Sequence, residues 1–336
     1  MTTNTAGVQN NLKPRLADRV RHSSQTLVLL GVAIIFFIVS LTVSSSKLFS
    51  LVHIASFLAM AALGQTLVFL IAGIDLSVSS VISGASILTC SLLKAGFPLG
   101  LSVIIVIAGC AAIGIINGVG IVKFNIPPLV MTVAMQRILQ GVILIITNGR
   151  PAAISTDVLG EIVNNSLIGP LSGAIVIMIV CIAILTWMLY KTKLGREIYM
   201  LGSNLKVARL SGVNISGVTI KVYTIAAILT GITGIMLLGY TGTAAVRIGE
   251  SYLLPSIAAV LLGGTSPLGG KGNVIKTFLG AFILTNIVSL LTVIQVSESI
   301  RQIIEGLIVL FFVIINNFNL QFGAIKKKAK RVNDEA

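Results

Sequence analysis

The stretch PLGLSVIIVIAGCAAIGIINGVGI, residues 98–121, contains no charged side chain. A helix needs about 20 apolar residues to cross the hydrocarbon core of a bilayer, and this run meets that length. Working outward from it, apolar runs recur at 25–43, 51–72, 77–93, 128–147, 168–190, 217–240, 252–264, 274–294 and 299–316. Over all 336 residues, hydrophobic side chains make up 55% and charged ones 10%, and the mean hydropathy is +1.03. An ordinary soluble domain carries about 25% charge. Too few polar groups remain to cover a globule in water, so a soluble enzyme, a secreted module and a disordered chain are excluded. The expected fold is all-α: a polytopic membrane protein of about ten transmembrane helices.

The run at 252–264 is too short to cross as a straight helix. It leads into the Gly-rich stretch 263–272, which predicts a helix break or re-entrant turn, tolerated at membrane depth only where protein or a polar cavity satisfies the backbone. Residues 1–24 are polar and basic, and the run after them ends in no convincing cleavage site, so 25–43 reads as a retained first span. Ten spans place both termini on one side. That side collects the N-terminal Lys13, Arg15, Arg19 and Arg21, six basic residues from Lys191 to Lys221, and the tail Lys326, Lys327, Lys328, Lys330 and Arg331. The opposite side holds only Lys47, Lys94, Arg150, Arg247 and Arg301. By the positive-inside rule both termini are cytoplasmic. The chain divides into a cytoplasmic tail 1–24, one transmembrane domain 25–316 with a cytoplasmic loop 191–216, and a basic cytoplasmic tail 317–336.

The formal charge of +14 lies between apolar runs and not on one folded face, which fits cytoplasmic loops beside lipid and argues against nucleic acid. Cys90, Cys110 and Cys181 sit inside apolar runs, and His22 and His53 are far apart, so no metal site is expected. The Gly-rich stretch fails as a phosphate-binding loop: Thr265 stands where the first Gly belongs and Gly272 follows Lys271 where Ser or Thr is required. No nucleophile–His arrangement is present. No catalytic residue and no cofactor bound by this chain are expected, so energy for transport comes from an ion gradient or another subunit.

Several residues point to a polar pathway. Asp75 stands in Ala72-Gly73-Ile74-Asp75-Leu76-Ser77-Val78-Ser79-Ser80, between two apolar runs with almost no loop. A carboxylate at membrane depth is costly and defaults to a functional role; the bland alternative is a cap for the next helix. Asn117, Asn125, Thr132, Gln136, Arg137 and Gln140 form a polar streak. Thr132, Gln136 and Gln140 recur every four residues and share a helix face, either lining a hydrated pathway or bonding helices together. Arg137 within that span favours a cavity. Asp75, Ser77, Asn117, Thr132, Gln136 and Arg137 are the pathway candidates. Arg301 and Glu305, four apart, predict a local ion pair. Gly231, Gly234 and Gly239 predict close helix packing. In the loop 191–216, Ser203 or Asn204 can cap a short amphipathic helix ending at Gly212. That helix either docks into a groove on a partner or rests on lipid headgroups.

These segments together resemble the membrane permease subunits of ribose-type bacterial sugar ABC importers. The likeness runs from about 50 to 315. It is carried by residues 72–80, Ile116-Asn117-Gly118 with Ile126-Pro127-Pro128, Thr147-Asn148-Gly149-Arg150-Pro151, Gly195-Arg196 with Gly202-Ser203-Asn204 and Ala208-Arg209-Leu210-Ser211-Gly212, and the stretch from Ile257 to Gly270. The chain departs from the family pattern at Leu253-Leu254-Pro255-Ser256 and Asn286-Ile287-Val288-Ser289. The resemblance implies a bacterial inner-membrane location, a pore made with a second permease subunit (the same or different), a cytoplasmic ABC ATPase that uses the ATP, and a soluble substrate-binding protein outside. It implies that Gly195, Arg196, Gly202, Asn204, Ala208, Arg209 and Gly212 form the element coupled to the ATPase. The expected activity is alternating-access import of a pentose, hexose or related solute. Import of nucleosides or branched-chain amino acids, and gradient-driven transport using Asp75 as an ion site, are the alternatives.

Overall fold

The computed structural model describes residues 45–153, 157–308, 310, 311 and 314. The expected first span 25–43, both basic tails and most of 309–316 lie outside the described residues. The helices are α1 (Ser45–Leu70), α2 (Val78–Lys94), α3 (Leu99–Lys123), α4 (Pro128–Thr147), α5 (Asp157–Asn164), α6 (Gly173–Lys191), α7 (Lys193–Ser203), α8 (Leu205–Leu210), α9 (Ile215–Thr241), α10 (Glu250–Leu262) and α11 (Val274–Val293). Residues 298–308 are also helical. The two-residue strands Ala152–Ala153 and Thr243–Ala244 pair antiparallel, as do Ser166–Ile168 and Leu171–Ser172. Helices α1 (from Phe49), α3, α4, α6, α9 and α11 are long and apolar enough to cross a membrane. Of the remaining expected spans, two are the shorter α2 and α10, and 299–316 begins as the helical segment 298–308.

Helices α1 and α9 form the core, each mostly buried, while α3, α4 and α6 bury only a minor share of their residues. Lipid is as apolar as leucine, so close contact between helices depends on small residues. Gly114 and Gly118 of α3 lie one above the other against the α9 backbone: a Cβ at either would fall 2.5 Å from the Tyr223 carbonyl or 2.6 Å from Ile220 Cα. The expectation for the α9 glycines is met in the same way. Gly231 admits Cys110, Gly234 the Ile82 carbonyl, and Gly239 the Leu159 carbonyl.

The chain is not a simple series of straight spans. After Leu70 it turns at Ala72 (φ 59°) and doubles back beside α1, so that the Gln65 side chain donates to the Asp75 backbone carbonyl at 2.6 Å. Gln65 precedes the end of α1 by five residues, so Asp75 has re-entered by about 7.5 Å at 1.5 Å per residue. Helix α2 therefore starts inside the bundle. Helix α10 starts beside it: the Gly249 N–H donates to the Ser83 hydroxyl at 3.0 Å, and a Cβ on Gly249 would meet the Ser79 carbonyl at 1.9 Å. Two half-length helices thus meet at their N-terminal ends. The loop 191–216 also holds more structure than expected, with α7 preceding the short α8. One expectation is corrected. Arg301 pairs with Glu298, three residues before it, and not with Glu305. Both acids are on helix-compatible spacings, and the guanidinium turns toward the start of its helix, where Thr292 at the end of α11 also accepts from it.

Candidate functional site

The re-entrant segment 71–77 is held by a buried polar network. Asp75 is 2% exposed. Its Oδ1 accepts from the Ser77 backbone N–H at 2.8 Å and the Ser77 hydroxyl at 2.6 Å, an Asx turn that feeds the chain into α2. The Asn117 amide of α3 donates to that hydroxyl at 3.1 Å. The Tyr223 hydroxyl of α9 donates to the Ile74 carbonyl at 3.4 Å. The Leu76 N–H donates to the Thr132 hydroxyl of α4 at 3.1 Å. No basic side chain takes part in this set. Asp75 is thus both a local turn former and a buried carboxylate; the cap position of α2 itself is Ser77, which makes no side-chain cap bond. The Gln65 Oε1 and Asn117 Oδ1 atoms are buried without a partner among the described residues.

The polar face of α4 continues upward from Thr132. The Gln136 amide donates to the Ser79 hydroxyl at 3.0 Å, and the Ser80 hydroxyl donates to the Gln136 carbonyl at 2.9 Å. Gln140 donates to Glu250 at 3.5 Å. Arg137 lies apart from this face. It is exposed and donates to Gln140 at 3.1 Å, one helix position outside the row that faces α2. Asp75, Ser77, Asn117 and Thr132 therefore form one buried cluster, Gln136 extends it, and Arg137 is on the rim. Sequence reading missed Gln65, Ser79, Ser80, Tyr223 and Glu250. A lone amide between Gly64 and Thr66 in an apolar run was the signal for Gln65.

At the C-terminal end of α1, beside Leu70, lies the 193–212 segment. Thr192 caps α7 by accepting from the Gly195 N–H at 3.2 Å. Asn204, not Ser203, caps α8, accepting from the Lys206 and Val207 N–H groups at 3.0 and 3.1 Å. Gly212 (φ 74°) closes α8 in a Schellman motif: the Val213 N–H reaches the Ala208 carbonyl and the Gly212 N–H the Arg209 carbonyl, both at 3.1 Å. Ala208 is buried, while Leu205, Val207 and Leu210 are 53%, 50% and 80% exposed. Arg196 and Arg209 are exposed and form no ion pair among the described residues.

This segment is joined to the re-entrant turn through backbone. The Gly270 N–H donates to the Leu70 carbonyl at 2.9 Å. A Cβ at Gly202 would fall 1.7 Å from that carbonyl oxygen and 2.5 Å from the Gly270 nitrogen. Gly269, in the left-handed region at φ 84°, abuts Ala72 and Gly202. The Tyr199 hydroxyl donates to the Gly272 carbonyl at 2.9 Å, and burial pushes its phenol pKa up. Gly195 and Gly202 are thus packing positions, whereas Arg196, Arg209 and the apolar side of α8 face outward.

A family described as "Branched-chain amino acid transport system / permease component" matches residues 47–313. The chain belongs to this permease family. It is 34% identical over 275 residues to the ribose import permease protein of Escherichia coli (strain K12), covering 81% of this chain and 86% of the relative. It is 31% identical over 297 residues to the ribose import permease protein of Haemophilus influenzae, covering 85% and 92%. It is 31% identical over 264 residues to the autoinducer 2 import system permease protein of Yersinia enterocolitica, covering 76% and 71%. No solved structure matches the chain. As a permease component of the ABC transporter class it is a transport subunit and not an enzyme, and ATP hydrolysis belongs to a separate partner.

Proposed function

We propose that the chain is the transmembrane subunit of an ATP-driven importer for a pentose, hexose or related polyhydroxylated solute in the bacterial inner membrane. A second permease subunit completes the pore, a cytoplasmic ABC ATPase docks on 193–212, and a soluble binding protein delivers the solute outside. The carrying observation is α8. It is a capped six-residue helix that leaves Val207 and Leu210, three apart on one face, exposed, while α7 beside it is seated on the membrane body by glycine contacts. An apolar face on a rigidly held short helix suits a groove in a partner. This reading has 25–43 as a span, ten spans in all, and both termini cytoplasmic, with transmembrane residues 25–316 between the tails 1–24 and 317–336. The chain binds no cofactor of its own. Asp75, Ser77, Asn117, Thr132 and Gln136 border the pathway, with Arg137 at its rim, and ATP-driven motion of 193–212 reaches them through the Gly202–Leu70–Gly270 joint.

Two of the named relatives import ribose, which favours a sugar. The family description favours a branched-chain amino acid as the second reading. The test is uptake of labelled D-ribose, D-xylose, D-glucose and L-leucine into proteoliposomes holding the chain with its ATPase and binding protein. Sugar uptake that needs internal ATP and both partners is the expected result. Uptake driven by an ion gradient with this chain alone would overturn the reading.

A further inference from the structure

On α11, Thr285, Ser289 and Thr292 recur at i, i+4 and i+7. On 298–308, Glu298, Gln302 and Glu305 recur at the same spacing. This spacing puts each trio on one helix face. All six line a single cavity of about 720 Å³, which is completed by α10 and the N-terminal half of α1. The two helices turn these polar stripes into one space. If the stripes only bonded the helices together, they would be bonded to each other. Thr285, Ser289 and Glu305 make no hydrogen bond across helices among the described residues; the bonds that exist, Arg301 to Thr292 and Arg301 and Gln302 to Glu298, lie at the turn between the helices. Unpaired polar side chains on such helices are costly unless water or a ligand meets them.

The cavity lies at the end of α1 opposite Leu70 and the α7–α8 segment. Its lining residue Glu250 accepts a hydrogen bond from Gln140 on the polar face of α4. Its volume falls within the roughly 300–1,000 Å³ usual for small-molecule sites. Its chemistry is rich in acceptors: three carboxylates (Glu250, Glu298 and Glu305) and five hydroxyls (Ser251, Tyr252, Thr285, Ser289 and Thr292), with Arg247 as the only cationic lining residue. A bound solute must therefore donate hydrogen bonds. Glu250 is met by Arg247 at 3.7 Å and Glu298 by Arg301, which leaves Glu305 without an ion pair among the described residues; three carboxylates against two guanidiniums disfavour an anion and the carboxylate of an amino acid. We propose that this cavity is the outward receiving site of the permease and that it takes a neutral polyhydroxylated solute. This rests on the import reading above and selects within it.

The experiment uses the complete importer in proteoliposomes with the same labelled panel. The unmodified complex tests the import reading alone, and that reading fails if no panel member enters in an ATP-dependent manner. The cavity is tested by Ser289→Cys, treated from the binding-protein side with a membrane-impermeant methanethiosulfonate, against unmodified protein as the background. The expected result is labelling that the transported sugar slows and L-leucine does not. Labelling unaffected by sugar, or no labelling in a complex that still imports, overturns the proposal. Gln302→Leu is the second variant. Its KM for the transported sugar should rise about fivefold, the worth of one net hydrogen bond, with an unchanged melting midpoint and recovery in Gln302→Asn. An unchanged KM in both variants also overturns it.

Discussion

Gly202→Ala tests whether the 193–212 segment and the re-entrant turn are one mechanical unit. The added methyl group would sit 1.7 Å from the Leu70 carbonyl oxygen, where real Cβ atoms keep at least 3.0 Å. Either α7 or the end of α1 must move by more than an ångström. Neither neighbour is a flexible side chain, since the Gly270 nitrogen stands 2.5 Å away on the other flank. The Gly270 to Leu70 hydrogen bond is then lost or bent. Overpacking costs about 1–3 kcal/mol and the broken backbone bond about 1 kcal/mol, so a loss of about 2–4 kcal/mol is expected. Gly141→Ala is the control. Its Cβ meets nothing within 4 Å and it lies inside α4, where Ala is favoured over Gly by up to about 1 kcal/mol. The assay is the melting midpoint of the assembled complex in lipid nanodiscs, with ATP hydrolysis and solute uptake measured on the same preparation. Gly202→Ala should melt several degrees lower and move less solute per ATP. If it melts and couples like Gly141→Ala, the joint does not carry load and the reasoning fails.

Three shorter tests address the network and the docking face. Asp75→Ala should lower stability by about 1–3 kcal/mol, because the Ser77 N–H and hydroxyl lose their buried acceptor; Asp75→Asn keeps an acceptor oxygen and should melt near the parent. Equal melting of the two would remove Asp75 from the turn. Thr132→Val should weaken uptake by unpairing the Leu76 N–H, with Thr132→Ser restoring it, and identical uptake in both variants would exclude that bond from function. Leu210→Ser should leave folding untouched, since the side chain is 80% exposed. It should weaken ATPase binding in a pull-down about tenfold or more, the worth of a buried leucine; full retention of the ATPase would place the docking face elsewhere.

What was legible in the sequence was whatever depends on local spacing. Apolar length marked α1, α3, α4, α6, α9 and α11. The period of four placed Thr132 and Gln136 on the face that meets α2; Arg137 was assigned to a cavity from its charge, and one step along the helix turns it about 100° from that face. Asn204 and Gly212 were recognisable as a cap and a stop from their chemistry. What was not legible depends on residues far apart in the chain meeting. Nothing near Gly202 shows that Leu70 and Gly270 will approach it, and nothing near Gly249 shows that Ser79 will. For Arg301 the sequence offered two acids at helical distance, and the choice of Glu298 follows from where the helix begins.

The same long-range contacts decide how motion on one face can reach the interior. Helix α8 is fastened at both ends by side-chain and glycine caps, so a partner pushing on Leu210 moves α7 and α8 together and does not unwind one turn. Helix α7 touches the body through backbone at Gly202. A backbone-to-backbone contact has no rotamer that can absorb displacement, unlike a contact between two long side chains. From Leu70 the chain needs only five residues to reach Asp75, and the Gln65, Asn117, Thr132 and Tyr223 bonds hold that short segment to four helices. A push at α8 must therefore either break the Gly270 to Leu70 bond or shift the strap carrying Asp75 relative to α4. Only the second alternative changes the interior contacts of one state against the other, and such a difference in contacts is what any ATP-driven switch between two states requires.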